Sequence, residues 1–490
     1  MINFPTLVRA RMYAPDAIFI RNDDGREFSY GDYWALSGRL ANTLVAHGVG
    51  VGDRVAAQVA KSVEALALFL ACTRVGAIFL PLNTAYTPTE VAYFVGDAEP
   101  ALLICEPDKS QILSTLCAIV LTLDDKGGGA FIQQQPSAFA DAAMTWNDAA
   151  AILYTSGTTG KSKGAVLTHG NLATNALALV GAWKFTSKDV LIHALPIYHT
   201  HGLFVATNTV LLSGGCLLFR RKFDVDDVVE LIPQATSLMG VPTFYTRLLA
   251  HEKLSRELVK HIRLFVSGSA PLLNETHTDF EERTGHAILE RYGMTETNMN
   301  TSNPYEGKRK AGTVGMPLDG VEVRIADPID GIGMIQVRGP NVFQSYWRNP
   351  EKTAAEFTAD GFFITGDLGS FDDQGYLTIS GRGKDLVITG GFNVYPKEIE
   401  TEIDQFPEVL ESAVIGIPHG DLGEGVVAIV ALKRPADGIS EATMIAELQK
   451  RLAKFKVPKR IVVVADLPRN AMGKVQKNQL RETYANLFKS

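Results

Sequence analysis

Tyr154-Thr-Ser-Gly-Thr-Thr-Gly-Lys-Ser-Lys-Gly164 follows the apolar run Ala149-Ala-Ala-Ile-Leu153 and precedes a helix-like segment from His169 to Asn175. The stretch reads as strand, then a loop of Ser, Thr and Gly, then helix. Glycines let the backbone turn its N–H groups toward an anion, and hydroxyls add donors. Lys161 and Lys163 add positive charge. Such a loop is a cradle for polyphosphate, with a flexible Ser/Gly surface loop as the alternative. It is not a Walker A motif, because Gly160-Lys161-Ser162 would need a glycine at 155, which is threonine.

Working outward, the chain has 490 residues, 46% apolar and 21% charged. At ~150 residues per domain this predicts two to four domains with sizeable cores. A net charge of −7 without an Arg/Lys-rich run argues against a nucleic-acid surface. Cys72, Cys105, Cys117 and Cys216 show neither metal-ligand spacing nor disulfide density, and read as buried thiols in a reducing cytoplasm. The N-terminus lacks the apolar core of a signal peptide. The longest apolar stretch, 63–82, is broken by Glu64 and Arg74 and reads as a helix followed by a buried strand, not a membrane span. The expectation is a soluble cytoplasmic protein without a metal cluster.

Up to about residue 380, apolar strand-like runs alternate with amphipathic helices, for example Arg54–Val59, the helix 62–74 and Ala77–Leu80. That alternation predicts α/β architecture with parallel-rich sheets covered by helices. Ile379-Ser-Gly-Arg-Gly-Lys-Asp385 is polar and reads as a hinge. Beyond it, strands near 386–389, 413–417, 426–432 and 461–464 and helices over 396–406 and 440–454 predict a compact α+β domain. Ile399, Ile403 and Phe406 share one face of the first of those helices. The division expected is 1–383 and 384–490.

Four more segments carry chemistry: Tyr292-Gly-Met-Thr-Glu296, Ile364-Thr-Gly-Asp-Leu368, the pair Gly381-Arg-Gly-Lys-Asp385 and Gly390-Gly-Phe-Asn-Val-Tyr395, and Pro468-Arg-Asn-Ala-Met-Gly-Lys474. In this order they resemble the adenylate-forming superfamily of acyl-CoA synthetases, luciferases and peptide-synthetase adenylation domains. The resemblance spans nearly the whole chain. It implies a large N-terminal domain, a small mobile C-terminal domain and a two-step reaction. ATP converts a carboxylate to an acyl-adenylate, and a thiol then displaces AMP.

The resemblance also implies roles. Thr155, Ser156, Gly157, Thr158, Thr159, Gly160 and Lys163 hold the β- and γ-phosphates, with Ser162 standing where the family usually has proline. Thr295 bonds the α-phosphate and Glu296 holds Mg²⁺. Tyr292 with Ser267, Ala270 and Pro271 sandwiches adenine. Asp367, assisted by Arg382, takes the ribose hydroxyls. Lys474 bridges carboxylate and α-phosphate, and Lys384 sits at the hinge. With no carrier domain following Lys474, free coenzyme A is the expected thiol.

The acid is addressed by Arg291. Relatives accepting aromatic or fatty acids commonly carry glycine there. A guanidinium in an acyl pocket needs an anion, which a second substrate carboxylate supplies. Malonate fits first and methylmalonate next, and the string 291–304 resembles the malonyl-CoA synthetases. His199 and His201 line the pocket, where the resemblance implies that the histidine of this segment gates the acid or contacts its carboxylate, while Met299 and Asn300 close it to long chains. The alternative for Arg291 is a salt bridge with Glu290 or Glu296, and Arg247 is a second candidate anchor. Rival functions are a synthetase for methylmalonate or another short acid, and a non-catalytic nucleotide-binding relative.

Overall fold

The computed structural model describes residues 3–155, 162–390, 392–434, 438–470 and 473–488. The chain forms two compact units. One comprises Met1–Leu272, Thr276–Val323 and Val337–Phe363; the other comprises Leu273–Glu275, Arg324–Gln336 and Ile364–Ser490.

The larger unit is built on two sheets. In the nine-stranded sheet, Leu289–Met294, Leu264–Ser267, Ser237–Gly240, Val190–His193, Cys216–Phe219 and Ile18–Asn22 run parallel as neighbours. Antiparallel strands finish both edges, Asn298–Ser302 with Met316–Pro317 on one side and Glu27–Ser29 on the other. The seven-stranded sheet runs Ser345–Tyr346, Lys163–Thr168, Ala149–Thr155, Ile78–Pro81, Arg54–Gln58, Leu102–Cys105, Val120–Thr122. Its last five strands are parallel. Strands such as Ile78–Pro81 are buried along their whole length, as sheets covered on both faces require.

The apolar run 63–82 becomes the helix Val63–Val75 and the strand Ile78–Pro81, as the sequence predicts. Ser62 caps that helix by accepting from the Ala65 N–H, and Gly76 ends it at φ +80, where a side chain would be strained. No helix of the described residues is long and apolar enough to cross a membrane.

The smaller unit carries a four-stranded sheet, Glu322–Ile329, Ile332–Arg338, Phe363–Phe371, Leu377–Arg382, and a five-stranded one centred on Gly423–Leu432. Alternate residues of that central strand face opposite cores. Val426, Ala428 and Val430 pack with Ile399, Ile403, Phe406 and Met444, whereas Val427 and Ile429 pack with Leu467 and Leu480. The unbroken Val/Ala/Ile run of 426–432 thus reflects burial on both sides.

One local expectation is corrected. A strand, Lys163–Thr168, stands between the glycine loop and the helix His169–Ala182. It pairs antiparallel with Ala149–Thr155, so the loop tips a hairpin and does not open a helix. Gly164–Thr168 is buried throughout, and Ser345–Tyr346 pairs along its other side. Thr168 then caps the following helix through a reciprocal bond with Asn171.

Candidate active site

The hairpin places Thr155 opposite Lys163 at the mouth of the loop. Ser156, Gly157, Thr158, Thr159 and Gly160 lie outside the described residues. Both flanking side chains meet a polar cluster. The Thr155 hydroxyl donates to Glu296 Oε1 at 3.2 Å, and the Tyr346 hydroxyl approaches the same oxygen at 3.1 Å. Tyr346 also donates to Glu356 Oε2 at 2.6 Å. Glu356 in turn pairs with Lys352 at 2.6 Å and with Lys163 at 3.5 Å, and the Lys163 ammonium sits 5.1 Å from the centre of the Tyr346 ring. Burial and the adjoining carboxylates push the Tyr346 hydroxyl pKa well up, so it stays a donor. Burial opposes the charge on Glu356, but hydrogen bonds from Lys352 and Tyr346 hold its carboxyl below the ordinary glutamate value. Tyr346 and Glu356 carry no motif, and nothing in their spacing marks them.

Leu289–Met294 and Asn298–Ser302 form a hairpin with a register shift between Tyr292 and Gly293. Thr295 and Glu296 occupy its turn, and Glu296 and Tyr292 are both buried. Met299 is buried beside them, and its carbonyl accepts from Asn175 Nδ2 at 2.9 Å and Asn341 Nδ2 at 3.2 Å.

Arg291 is only 3% exposed. Its Nε and Nη2 are buried without a hydrogen-bond partner among the described residues. Burial pulls the guanidinium pKa down to about 9, against the opposing fields of Tyr245 and Glu290. The guanidinium lies against Gly268 so closely that a Cβ there would fall 2.4 Å from its central carbon. Gly268 is a contact the sequence reading missed. Arg247 is exposed on the helix Pro242–Ala250.

His201 lies near this guanidinium. Burial first, and then the field of Arg291, hold the imidazole pKa well below the ordinary value, so the ring is neutral. Its Nδ1 is 3.2 Å from the Ser269 hydroxyl, and its Nε2 is buried without a partner among the described residues. Ser269 adopts φ +71, a left-handed conformation costly for a residue with a side chain. Its neighbours differ: Ser267 is fully buried, Ala270 half-buried and Pro271 exposed. His199 is half-buried, and its Nδ1 accepts the backbone N–H of His201 at 3.4 Å. His201 opens a π-helical stretch to Ala206, a wide-turn geometry frequent at functional sites and invisible to apolar periodicity.

In the smaller unit, antiparallel pairing sets Asp367 opposite Arg382, and Arg382 Nε meets Asp367 Oδ1 at 2.9 Å. Lys384 is exposed in the short 3₁₀ turn Gly383–Asp385. Lys474 is exposed, its N–H donating to Asn470 Oδ1 at 3.0 Å and its carbonyl accepting from Asn470 N at 2.9 Å. Among the described residues, no three His, Cys, Asp or Glu side chains gather as a metal cage.

Comparison with known proteins bears on the whole arrangement. The chain is 34% identical to a malonate–CoA ligase of Arabidopsis thaliana, over 94% of this chain and 86% of that protein. It is also 34% identical to a feruloyl-CoA synthase of Amycolatopsis sp, over 97% of each. The structure of ATP-bound MatB from Rhodopseudomonas palustris, 56% identical, matches with a TM-score of 0.97 over 100% of both chains. Residues 8–347 match the AMP-binding enzyme family, and residues 398–474 match the AMP-binding enzyme C-terminal domain. With the order of its motifs and its two-unit α/β fold, the chain belongs to the AMP-binding enzymes.

Proposed function

We propose that the chain joins malonate to coenzyme A through a malonyl-adenylate, consuming ATP and releasing AMP and diphosphate. The observation that carries this reading is Arg291, a buried guanidinium with two nitrogens lacking a partner among the described residues. Leaving such a charge unmatched is expensive, and a carboxylate at the far end of a small diacid relieves it in bidentate form. The name of the 34% identical Arabidopsis relative agrees. The feruloyl-CoA synthase at the same identity names the rival class, an aromatic monoacid, which would leave Arg291 unmatched.

In the first step a malonate carboxylate oxygen attacks the α-phosphorus, the bond to the β-phosphate oxygen breaks, and diphosphate leaves. Thr155, the glycine loop and Lys163 hold the departing phosphates, and Thr295 donates to the α-phosphate. Lys474 neutralises charge where carboxylate and phosphate meet. In the second step the thiol sulfur attacks the acyl carbon and AMP leaves. Tyr292, Ser267, Ala270 and Pro271 frame adenine, and Asp367 with Arg382 holds the ribose. His199 and His201 line the acid site, with Met299 limiting its depth.

Mg²⁺ is bound elsewhere in nature by one or two carboxylates plus substrate phosphates, so a single buried Glu296 beside the Thr155 hydroxyl suits it. When bound, the ion screens phosphate charge. The functional division we infer is 1–383 for nucleotide and acid, and 384–490 as a swinging domain hinged at Lys384. Four unpaired thiols suit a cytoplasmic setting.

The test is ATP- and CoA-dependent AMP release with malonate, methylmalonate, succinate, acetate, propionate and ferulate. Malonate should exceed acetate in kcat/KM by several orders of magnitude, as in sites built to bond a polar substrate group. Ferulate or acetate as the best substrate would overturn the reading.

A further inference from the structure

Leu195-Pro-Ile-Tyr-His-Thr-His-Gly202 carries both acid-site histidines, yet it is irregular as far as His199. Such a segment does not hold one shape by its own backbone bonds. A lysine from a distant part of the chain holds it. Lys61 immediately precedes Ser62, the N-cap of the helix Val63–Val75, and is buried. Its Nζ donates to His193 Nδ1, to the His193 carbonyl and to the Leu195 carbonyl, each at 2.8 Å. It also lies 4.3 Å from the centre of the Phe219 ring.

The imidazole carries this grip across the segment. Because Nδ1 accepts from Lys61, the ring proton sits on Nε2, which donates to the Gly202 carbonyl at 2.9 Å. The Thr207 hydroxyl donates to the same carbonyl at 2.9 Å. One lysine and one histidine therefore tie residues 193 and 195, at the start of the segment, to residue 202 at its end.

Burial pulls the Lys61 pKa well down. Three acceptors converge on its nitrogen, however, and a neutral amine has only two protons to offer, so the ammonium is the form that fits. No carboxylate bonds to it among the described residues. A buried cation with no bonded carboxylate, favoured only by the field of Asp23 and opposed by that of Arg220, costs stability that a methionine of similar volume would not. Its presence is explained if conformation of the segment matters more than stability.

We propose that Lys61 and His193 are positioning residues for acid selection, clasping both ends of the 195–202 segment so that His199 and His201 meet the acyl substrate. This rests on the reading that the segment lines the acid site. The test uses the full chain and compares wild type with Lys61→Met, His193→Phe and His193→Gln by AMP release, varying malonate and ATP separately. Lys61→Met and His193→Phe should raise KM for malonate about tenfold or more, with KM for ATP within about twofold. His193→Gln, whose amide both accepts and donates, should recover most of the loss. Parallel rises in both KM values, an unchanged malonate KM, or no recovery by glutamine would overturn the proposal. Should Lys61→Met fail to fold, the two His193 variants decide. If wild type rejects malonate, the substrate reading fails separately, and the same comparison with the acid it prefers still tests the clasp.

Discussion

A guanidinium held inside a protein with two nitrogens unmatched carries a penalty that an anionic ligand would relieve. Among the described residues Arg291 is in that state, pressed against the bare backbone of Gly268 and beside the neutral ring of His201. Hydrogen bonds to a charged group are worth about 1.5–3 kcal/mol, so Arg291→Ala should cut kcat/KM for malonate roughly 10- to 150-fold. The value for acetate should change little. Arg291→Met, which removes the buried charge while filling similar volume, should hold or raise Tm. Calorimetry and the AMP-release assay check both, and an undiminished malonate preference would place the anchor elsewhere. The identity of residue 291 was legible in the sequence as an unusual cation beside a nucleotide motif. Its enclosure in a pocket was expected there too, but the missing Cβ at 268 that makes room for it was not, because residues 23 positions apart meet only when the strands Leu264–Ser267 and Leu289–Met294 pair.

Among the elements, the two-residue strand Ser345–Tyr346 has the largest consequence for its size. Pairing with Lys163–Thr168 brings the Tyr346 hydroxyl to Glu296, and the helix Pro350–Ala355 then delivers Glu356. One hydroxyl thereby joins the acid proposed to hold Mg²⁺ to the acid that pairs with Lys163. Tyr346→Phe keeps the ring, and so its packing with Phe343, but deletes that link. Losing a hydrogen bond to a charged group predicts about a tenfold fall in kcat/KM for ATP, with KM for malonate nearly unchanged. Varying the two substrates independently is the check; equal effects on both would refute a specific role. The sequence alone points to a loop that opens a helix, because a short apolar run such as 163–168 has no decisive period. Its neighbours on both sides make it a strand.

At the scale of the whole molecule, burial of histidines sets a pH limit. Burial lowers the His169 pKa to about 4 and holds His193 and His201 well below 6.5. Between pH 4 and 6.5 the unfolded chain therefore binds more protons than the folded one, and stability falls as pH falls. Each such histidine removes about 1.4 kcal/mol per pH unit across its window. Tm measured from pH 7 down to pH 5 should drop, and His169→Gln should flatten the slope; an unchanged slope would contradict the assignment. A second prediction concerns the proposed division of labour. Lys474→Ala should abolish adenylate formation while leaving thioester formation from supplied malonyl-AMP largely intact, and equal loss in the two half-reactions would overturn its role.

The family and the two-part α/β architecture were determined by the sequence alone, and the chemistry proposed for each motif starts from residue types and spacings read there. Local spacing dictates which backbone groups can face a phosphate, and composition dictates which segments can be buried. Tertiary structure alone decided which polar groups stand without a partner and which distant side chains share one. The Arg291 nitrogens, the Tyr346 bridge and the Lys61–His193 clasp all depend on segments far apart in the chain being brought within hydrogen-bond distance. Burial then makes each unmet or shared bond count.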